Sequence, residues 1–215
     1  MVNQTSSLET VVLATSNQGK VREMAALFQK SHPDIKILCL RDFPEIQDIP
    51  ETGDTFLENA TIKAEHVSKT LGMVAIADDS GLEVDALNSA PGVYSARFSG
   101  PGATDASNNA LLLEELRTVP WEQRTAKFCC VMVARAPGGQ TLQARGEWEG
   151  LIGLEPRGQS GFGYDPLFFD PHAGKTAAQM NPEKKNQVSH RAEAMRNLLR
   201  KWPDFWMQVK RHSFD

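Results

Sequence analysis

Met73-Val74-Ala75-Ile76-Ala77-Asp78-Asp79-Ser80-Gly81 sets five apolar residues directly against two adjacent carboxylates. A short apolar run bounded by turn formers reads as a buried strand. What precedes it reads as a helix. Thr55 and Glu58 have capping-box spacing, Leu57, Ala60, Ala64, Val67 and Leu71 recur on one face, and Gly72 can end the element. Upstream the order repeats. Val11 to Ala14 is a short strand, Thr15 to Gly19 a polar turn, and Val21, Met24, Ala25 and Phe28 mark one face of a helix. Ile35 to Leu38 follows as a second strand. Arg41 to Gly53 is acidic and carries Pro44 and Pro50, which makes it loop.

Downstream, a helix is expected over Asp105 to Arg117, with Leu112, Leu113 and Leu116 facing the core. Ala126 to Ala136 is the longest apolar strand, apolar on both faces and therefore central. Pro137-Gly138-Gly139 turns it into a partner, Thr141 to Trp148, with alternating polar residues. This hairpin could belong to a second lobe, although no linker marks a boundary. Gly158 to Gly163 leads to the apolar Leu167-Phe168-Phe169, and a last helix starts near Ser189 with Met195, Leu198, Leu199 and Trp202 at core spacing. Alternating strands and helices define an α/β fold. The expectation is a mixed central sheet flanked by helices, in two lobes with the active-site cleft between them.

Composition narrows the function. At 215 residues the chain fits one large domain or two lobes sharing a core. A net charge of -4 argues against a nucleic-acid partner, which needs a basic face, yet leaves room for one small anionic ligand. The first ten residues lack an apolar signal segment, and no run approaches the roughly 18 apolar residues of a membrane span. Cys39, Cys129 and Cys130 form no CxxC pair, so reduced thiols in a cytoplasmic protein are expected. The five histidines have no metal-type spacing.

Four segments can carry chemistry. Thr15-Ser16-Asn17-Gln18-Gly19-Lys20 joins a strand to a helix, where backbone N–H groups and the helix dipole meet an anion and Lys20 adds a charge. It is no Walker A loop, because Ala14 holds the first glycine position and Val21 follows the lysine. Asp78-Asp79-Ser80-Gly81 is the second. Paired carboxylates beside an apolar strand are costly unless they meet a cation or a donor network. Magnesium beside phosphates takes one or two carboxylates, and a carboxylate can also take a proton from water. In Ser160-Gly161-Phe162-Gly163-Tyr164-Asp165-Pro166, glycines around aromatics leave room for a flat base, and Asp165 can accept from a ring N–H; Pro166 rules out GxGxxG. Lys184-Lys185 and Ser189-His190-Arg191 complete the set. With Ser189 as N-cap, His190 and Arg191 oppose the helix dipole, a conflict that a bound anion or electron-rich base would remove. Each segment alone also reads as ordinary loop, turn or solvated patch.

Taken in this order, the stretches VVLATSNQGKVREM, ETGDTFLENATIKAEH, IADDSGLEVDALNSAPGVYSARFSG, SGFGYDPLFF and SHRAEAM resemble the inosine/xanthosine triphosphate pyrophosphatase, or Ham1-like, family from about Val11 to Leu199. The resemblance implies hydrolysis of ITP, XTP and their deoxy forms to the monophosphate and pyrophosphate, with magnesium, in a homodimer. One domain would span residues 1–215, with about 1–10 and 203–215 peripheral. Carried onto this chain, Thr15, Ser16, Asn17, Gln18, Gly19 and Lys20 would grip phosphates. Asp79 would bind magnesium and accept the proton of water, and Ser80 would touch the substrate. Phe162, Gly163, Tyr164, Asp165, Lys185, His190 and Arg191 would hold the base and sugar, with Arg191 or Lys185 donating to the 6-oxo group. Many bacterial relatives carry two glutamates before Thr-Gly. Pro50 stands in the first place here, so the second metal carboxylate is Glu51 or Glu45, with Glu51 favoured. The tail Trp202-Pro203-Asp204-Phe205-Trp206 has no counterpart, and its aromatics suggest packing on the body or on a second subunit. Two other readings keep the pocket: a Maf-like pyrophosphatase for pyrimidine or modified nucleotides, and a non-catalytic nucleotide-binding regulator. A water-activating carboxylate argues against the regulator.

Overall fold

The computed structural model describes residues 10–46 and 49–212. The strand Thr10–Leu13 (β1) is buried throughout and runs parallel to Lys36–Cys39 (β2) on one side and to Val74–Val84 (β3) on the other. Next come Thr125–Arg135 (β4), Thr141–Ile152 (β5), Phe168–Asp170 (β6) and Lys175–Thr176 (β7). Among the described residues they form one seven-stranded sheet, ordered β2-β1-β3-β4-β5-β6-β7, with β5, β6 and β7 antiparallel. The sheet is mixed, as its sequence implies, and helices flank it.

The chain divides into two compact units: Met1–Asp79, Cys130–Gly146 and Arg191–Asp215 in the first, Ser80–Cys129 and Glu147–His190 in the second. In the first, strand alternation sorts side chains to two faces. Val11, Leu13, Val74 and Ile76 join Met24 and Phe28 of the helix Gln18–Ser31 (α1) and Met195, Leu198 and Trp202 of the helix His190–His212 (α5). Val12, Ala14, Ala75 and Ala77 meet Ala60, Ala64 and Val67 of the helix Phe56–Leu71 (α2). Small residues on both sides of that contact let helix and strands approach closely. The second unit packs Leu82, Val84, Phe128, Trp148 and Phe168 against Leu112 and Leu116, the latter pair from the helix Asp105–Glu115 (α3) and its C-terminal cap. Each fully buried Leu or Phe contributes about 1.5–3 kcal/mol from its removal from water.

Local signals account for the helix ends. Thr55 caps α2 reciprocally with Glu58, and Gly72 ends it. The helix Pro182–Val188 (α4), absent from the sequence reading, starts at Asn181, which accepts from Lys184 N–H, with proline at the first position. Four expectations are corrected. First, β3 does not stop before Asp78 but continues to Val84, because buried Leu82 and Val84 keep its pattern going and partners meet the charges. Second, the hairpin is not confined to a second lobe, since Cys130–Gly146 belongs to the first unit. Third, Leu40–Asp42 forms a 3-10 turn inside the expected loop, of which residues 47 and 48 lie outside the described residues. Fourth, residues from 203 onward are not peripheral as far as they are described. The helix α5 passes through Pro203, and Phe205 and Val209 are buried in the core of the first unit beside Trp202. The tail thus packs on the body.

Candidate active site

In the first unit, the polar turn after β1 is organised by Asn17. Its side chain caps α1 by accepting from Gly19 N–H at 2.9 Å and Lys20 N–H at 3.2 Å. Thr15 Oγ1 accepts from Asn17 N–H, and Gln18 donates to the Ser16 carbonyl. Two of the first N–H groups of α1 are therefore taken, and what the turn presents most strongly is the Lys20 ammonium, 3.1 Å from Asp78 Oδ2.

The two carboxylates on β3 point to opposite faces and meet different partners. Asp78 is buried, and its Oδ2 receives Lys20 Nζ at 3.1 Å, Arg191 Nη2 at 3.1 Å and Arg191 Nε at 3.2 Å. Burial opposes its ionisation, but the charges of Lys20, Arg191 and Lys63 outweigh burial and hold the carboxyl well below the usual carboxylate range. Asp79 is 5% exposed. Its Oδ1 lies 3.3 Å from Lys63 Nζ, and its Oδ2 accepts from Asn59 Nδ2 at 3.2 Å. Burial pushes its carboxyl up, against the opposing pull of Lys63 and Lys20. Adjacent residues are thus driven in opposite directions, the arrangement that separates a permanently charged group from a proton acceptor.

Lys63 Nζ also lies 2.7 Å from Glu51 Oε1. Burial works against this ammonium, but Asp79, Asp78 and Glu51 raise its pKa above the ordinary value. Glu51 is therefore the carboxylate that converges with Asp79 on a single cation, whereas Glu45 is exposed. Among the described residues no group of three or more His, Cys, Asp or Glu side chains gathers as a metal cluster. Sequence reasoning missed Lys63 and Asn59. Their signal was a polar pair four residues apart beside the apolar stripe of α2, where capping and periodicity had already explained the helix.

Arg191 corrects one expectation. It is 1% exposed, and besides its two bonds to Asp78 its Nη1 donates to Glu23 Oε2 at 2.5 Å. Its donors face carboxylates of the first unit, so the helix-dipole conflict is relieved by protein acids.

In the second unit, Asp165 is buried, and its Oδ2 accepts from Lys185 Nζ at 2.5 Å and from Phe162 N–H at 2.9 Å. Gly161 is required by closeness: a Cβ there would fall 1.9 Å from that same oxygen, at φ +82°. Lys185 Nζ stands 4.9 Å from the centre of the half-buried Phe162 ring. Gly163 is held through both backbone groups, its N–H donating to Asp105 Oδ2 and its carbonyl accepting from Asn109 Nδ2. Two assignments change. Tyr164 is a core residue whose hydroxyl donates to the Ser95 carbonyl, and Asp165 spends Oδ2 on fixing Lys185. His190 is buried and stacks on Phe128 at 4.7 Å, and Ser80 is half-buried on β3. None of Cys39, Cys129 and Cys130 forms a disulfide.

Fold and site together define an α/β protein with an acidic pair on its sheet, met by lysines from two helices. The chain belongs to the Ham1 family, whose model matches residues 11–201. A dITP/XTP pyrophosphatase of Nitratidesulfovibrio vulgaris is 54% identical over 203 residues, covering 92% of this chain and 97% of that protein. One from Geobacillus kaustophilus is 51% identical over 197 residues, covering 92% and 96%. Among solved structures, a Ham1 protein from Coxiella burnetii is 44% identical with a TM-score of 0.81, and that of Staphylococcus aureus is 40% identical with 0.79; each comparison covers 91% of this chain and 98% of the other.

Proposed function

We propose that this chain hydrolyses non-standard purine nucleoside triphosphates (ITP, dITP and XTP) to the nucleoside monophosphate and pyrophosphate, removing them from the cytoplasmic nucleotide pool. The observation that carries the reading is the pair on β3, with buried Asp78 held by Lys20 and Arg191 while its neighbour Asp79 meets Lys63 beside Glu51. The names and high identity of the relatives support the substrate class. Magnesium fits the residues present. The common contact of Glu51 and Asp79 with Lys63 supports a spacing suited to one cation, and carboxylate oxygens suit a hard ion that completes its shell with water and phosphate. Bound there, magnesium would neutralise phosphate charge and acidify water.

The chain's own residues do the rest. Lys20 and the Thr15 to Gly19 turn attract the triphosphate. Asp79 takes a proton from water as the water oxygen bonds to phosphorus and the α–β anhydride bond breaks, giving monophosphate and pyrophosphate. In the second unit, the Phe162 face offers stacking for the base, and Lys185, aimed by Asp165, donates to a 6-oxo group. Adenine would set its amino donor against that ammonium, and a site built on one hydrogen bond rejects such a mismatch by about 10²-fold or more. Among the described residues no helix is long and apolar enough to cross a membrane.

The test is kcat/KM for ITP, XTP, ATP and GTP at one magnesium concentration, with pyrophosphate release repeated in chelator. ITP and XTP should lead ATP by at least the factor above, and chelator should stop release. Equal values for ITP and ATP would remove the proposed role.

A further inference from the structure

We infer that Asn59 is a positioning residue that sets both the orientation of Asp79 and the distance from Asp79 to Glu51. The inference rests on the proposed roles of those two carboxylates. Asn59 lies on α2 and is completely buried. Its amide is used at both ends. Nδ2 donates to Asp79 Oδ2 at 3.2 Å, and Oδ1 accepts the Gly53 N–H at 2.8 Å. Gly53 is two residues from Glu51, so one side chain ties the segment carrying one carboxylate to the other carboxylate itself.

The surroundings make this link stiff. A Cβ on Gly53 would lie 2.5 Å from Glu58 Cβ and 2.9 Å from Asn59 Oδ1, so the turn seats only because residue 53 has no side chain. Glu58 Oε2 fixes the next two residues by accepting from Asp54 N–H at 2.8 Å and Thr55 N–H at 3.1 Å. The capping box of α2 and the Asn59 amide therefore hold residues 53–55, just after Glu51, against the start of the helix. Lys63 stands one turn further along α2 and touches the remaining oxygen of Asp79 together with Glu51. The division of labour follows. An uncharged amide orients Asp79 through Oδ2, and the charged partner is kept at Oδ1, where Glu51 converges. Groups that orient a catalytic carboxylate without touching substrate matter as much to rate as to stability.

Two substitutions separate the halves of the link. Asn59→Asp keeps an acceptor for Gly53 and replaces the donor to Asp79 with a second oxygen. It should lower kcat for ITP at saturating magnesium by about 10–100-fold while KM for ITP stays within about threefold. Gly53→Ala pushes the turn away and leaves the amide on Asp79. It should weaken binding of Mn2+ to the substrate-free protein, measured by titration calorimetry, and raise the magnesium needed for half-maximal rate by about tenfold, with kcat at saturation little changed. Asp79→Asn runs beside them as the control. Near wild-type kcat in Asn59→Asp, with Asp79→Asn inactive, would overturn this inference and leave the proposed function standing. So would Gly53→Ala losing kcat with unaltered Mn2+ binding. An active Asp79→Asn would instead remove the functional reading beneath it.

Discussion

At the residue scale, the opposite shifts of Asp78 and Asp79 predict opposite effects on stability. Asp78 has its folded pKa depressed, so its contribution is present above the ordinary carboxylate range and is lost only as pH falls through the lower folded value. Removing it with Asp78→Asn leaves Lys20 and Arg191 short of a counter-charge in a buried place, which costs about 3–5 kcal/mol. Asp79 has its folded pKa raised, so its ionised form is a cost above the unfolded value, and Asp79→Asn relieves that cost. This variant should lose about 10²–10⁴-fold or more in kcat while melting no lower than wild type at neutral pH. Thermal denaturation and ITP turnover on both variants check the pair; equal loss of Tm in the two would contradict it. Base choice separates in the same way. Lys185→Ala should shrink the ITP-to-ATP ratio of kcat/KM, whereas Arg191→Ala should act mainly on stability, at about 3–5 kcal/mol, by stranding Asp78 and Glu23. Lys20→Ala should raise KM for triphosphate and also lower Tm, because the lysine pairs with buried Asp78. The acidic pair, the lysines and the glycine-aromatic loop were legible as residue types. Their partners were not. That Tyr164 bonds to Ser95, 69 positions away, is a product of packing, and nothing local to SGFGYDP records it.

At the element scale, local chemistry was written plainly wherever a helix begins. Thr55 with Glu58 named the start of α2, and Asn181-Pro182 carried the start of α4 in a signal that was overlooked. The run of α5 past Pro203 was hidden for a different reason. Proline lacks the N–H that would bond one turn back, and local rules favour a stop; burial of Phe205 and Val209 beside Trp202 overrides them. Pro203→Ala should therefore stabilise the protein by up to about 3 kcal/mol, since the position is solvent-exposed and alanine restores the missing donor. Phe205→Ala should cost about 3–5 kcal/mol through the cavity it leaves. Denaturant midpoints measure both, and a neutral Phe205→Ala would mean that the end of α5 lies loosely on its core.

At the scale of the whole molecule, the class of fold was legible because strands and helices alternate with clear breaks. The partition was not. Strand periodicity continues through Asp79-Ser80 and Cys129-Cys130 without a change of pattern, so the sequence offers no punctuation where the units divide. The homodimer that the family resemblance implies belongs to this scale too. Sedimentation at micromolar concentration should give about twice the 23.7 kDa chain mass, and a clean monomer would count against it. The partition also bears on inheritance. Four peptide bonds, Asp79-Ser80, Cys129-Cys130, Gly146-Glu147 and His190-Arg191, carry the chain from one unit to the other. Neither unit is a continuous stretch of gene, so no single genetic crossover could transplant one whole. A lineage exchanging segments with a relative would have to swap at four places at once. The unit that carries the residues proposed to face phosphate and the unit that carries those proposed to face the base are thus each inherited whole only with the rest of the chain.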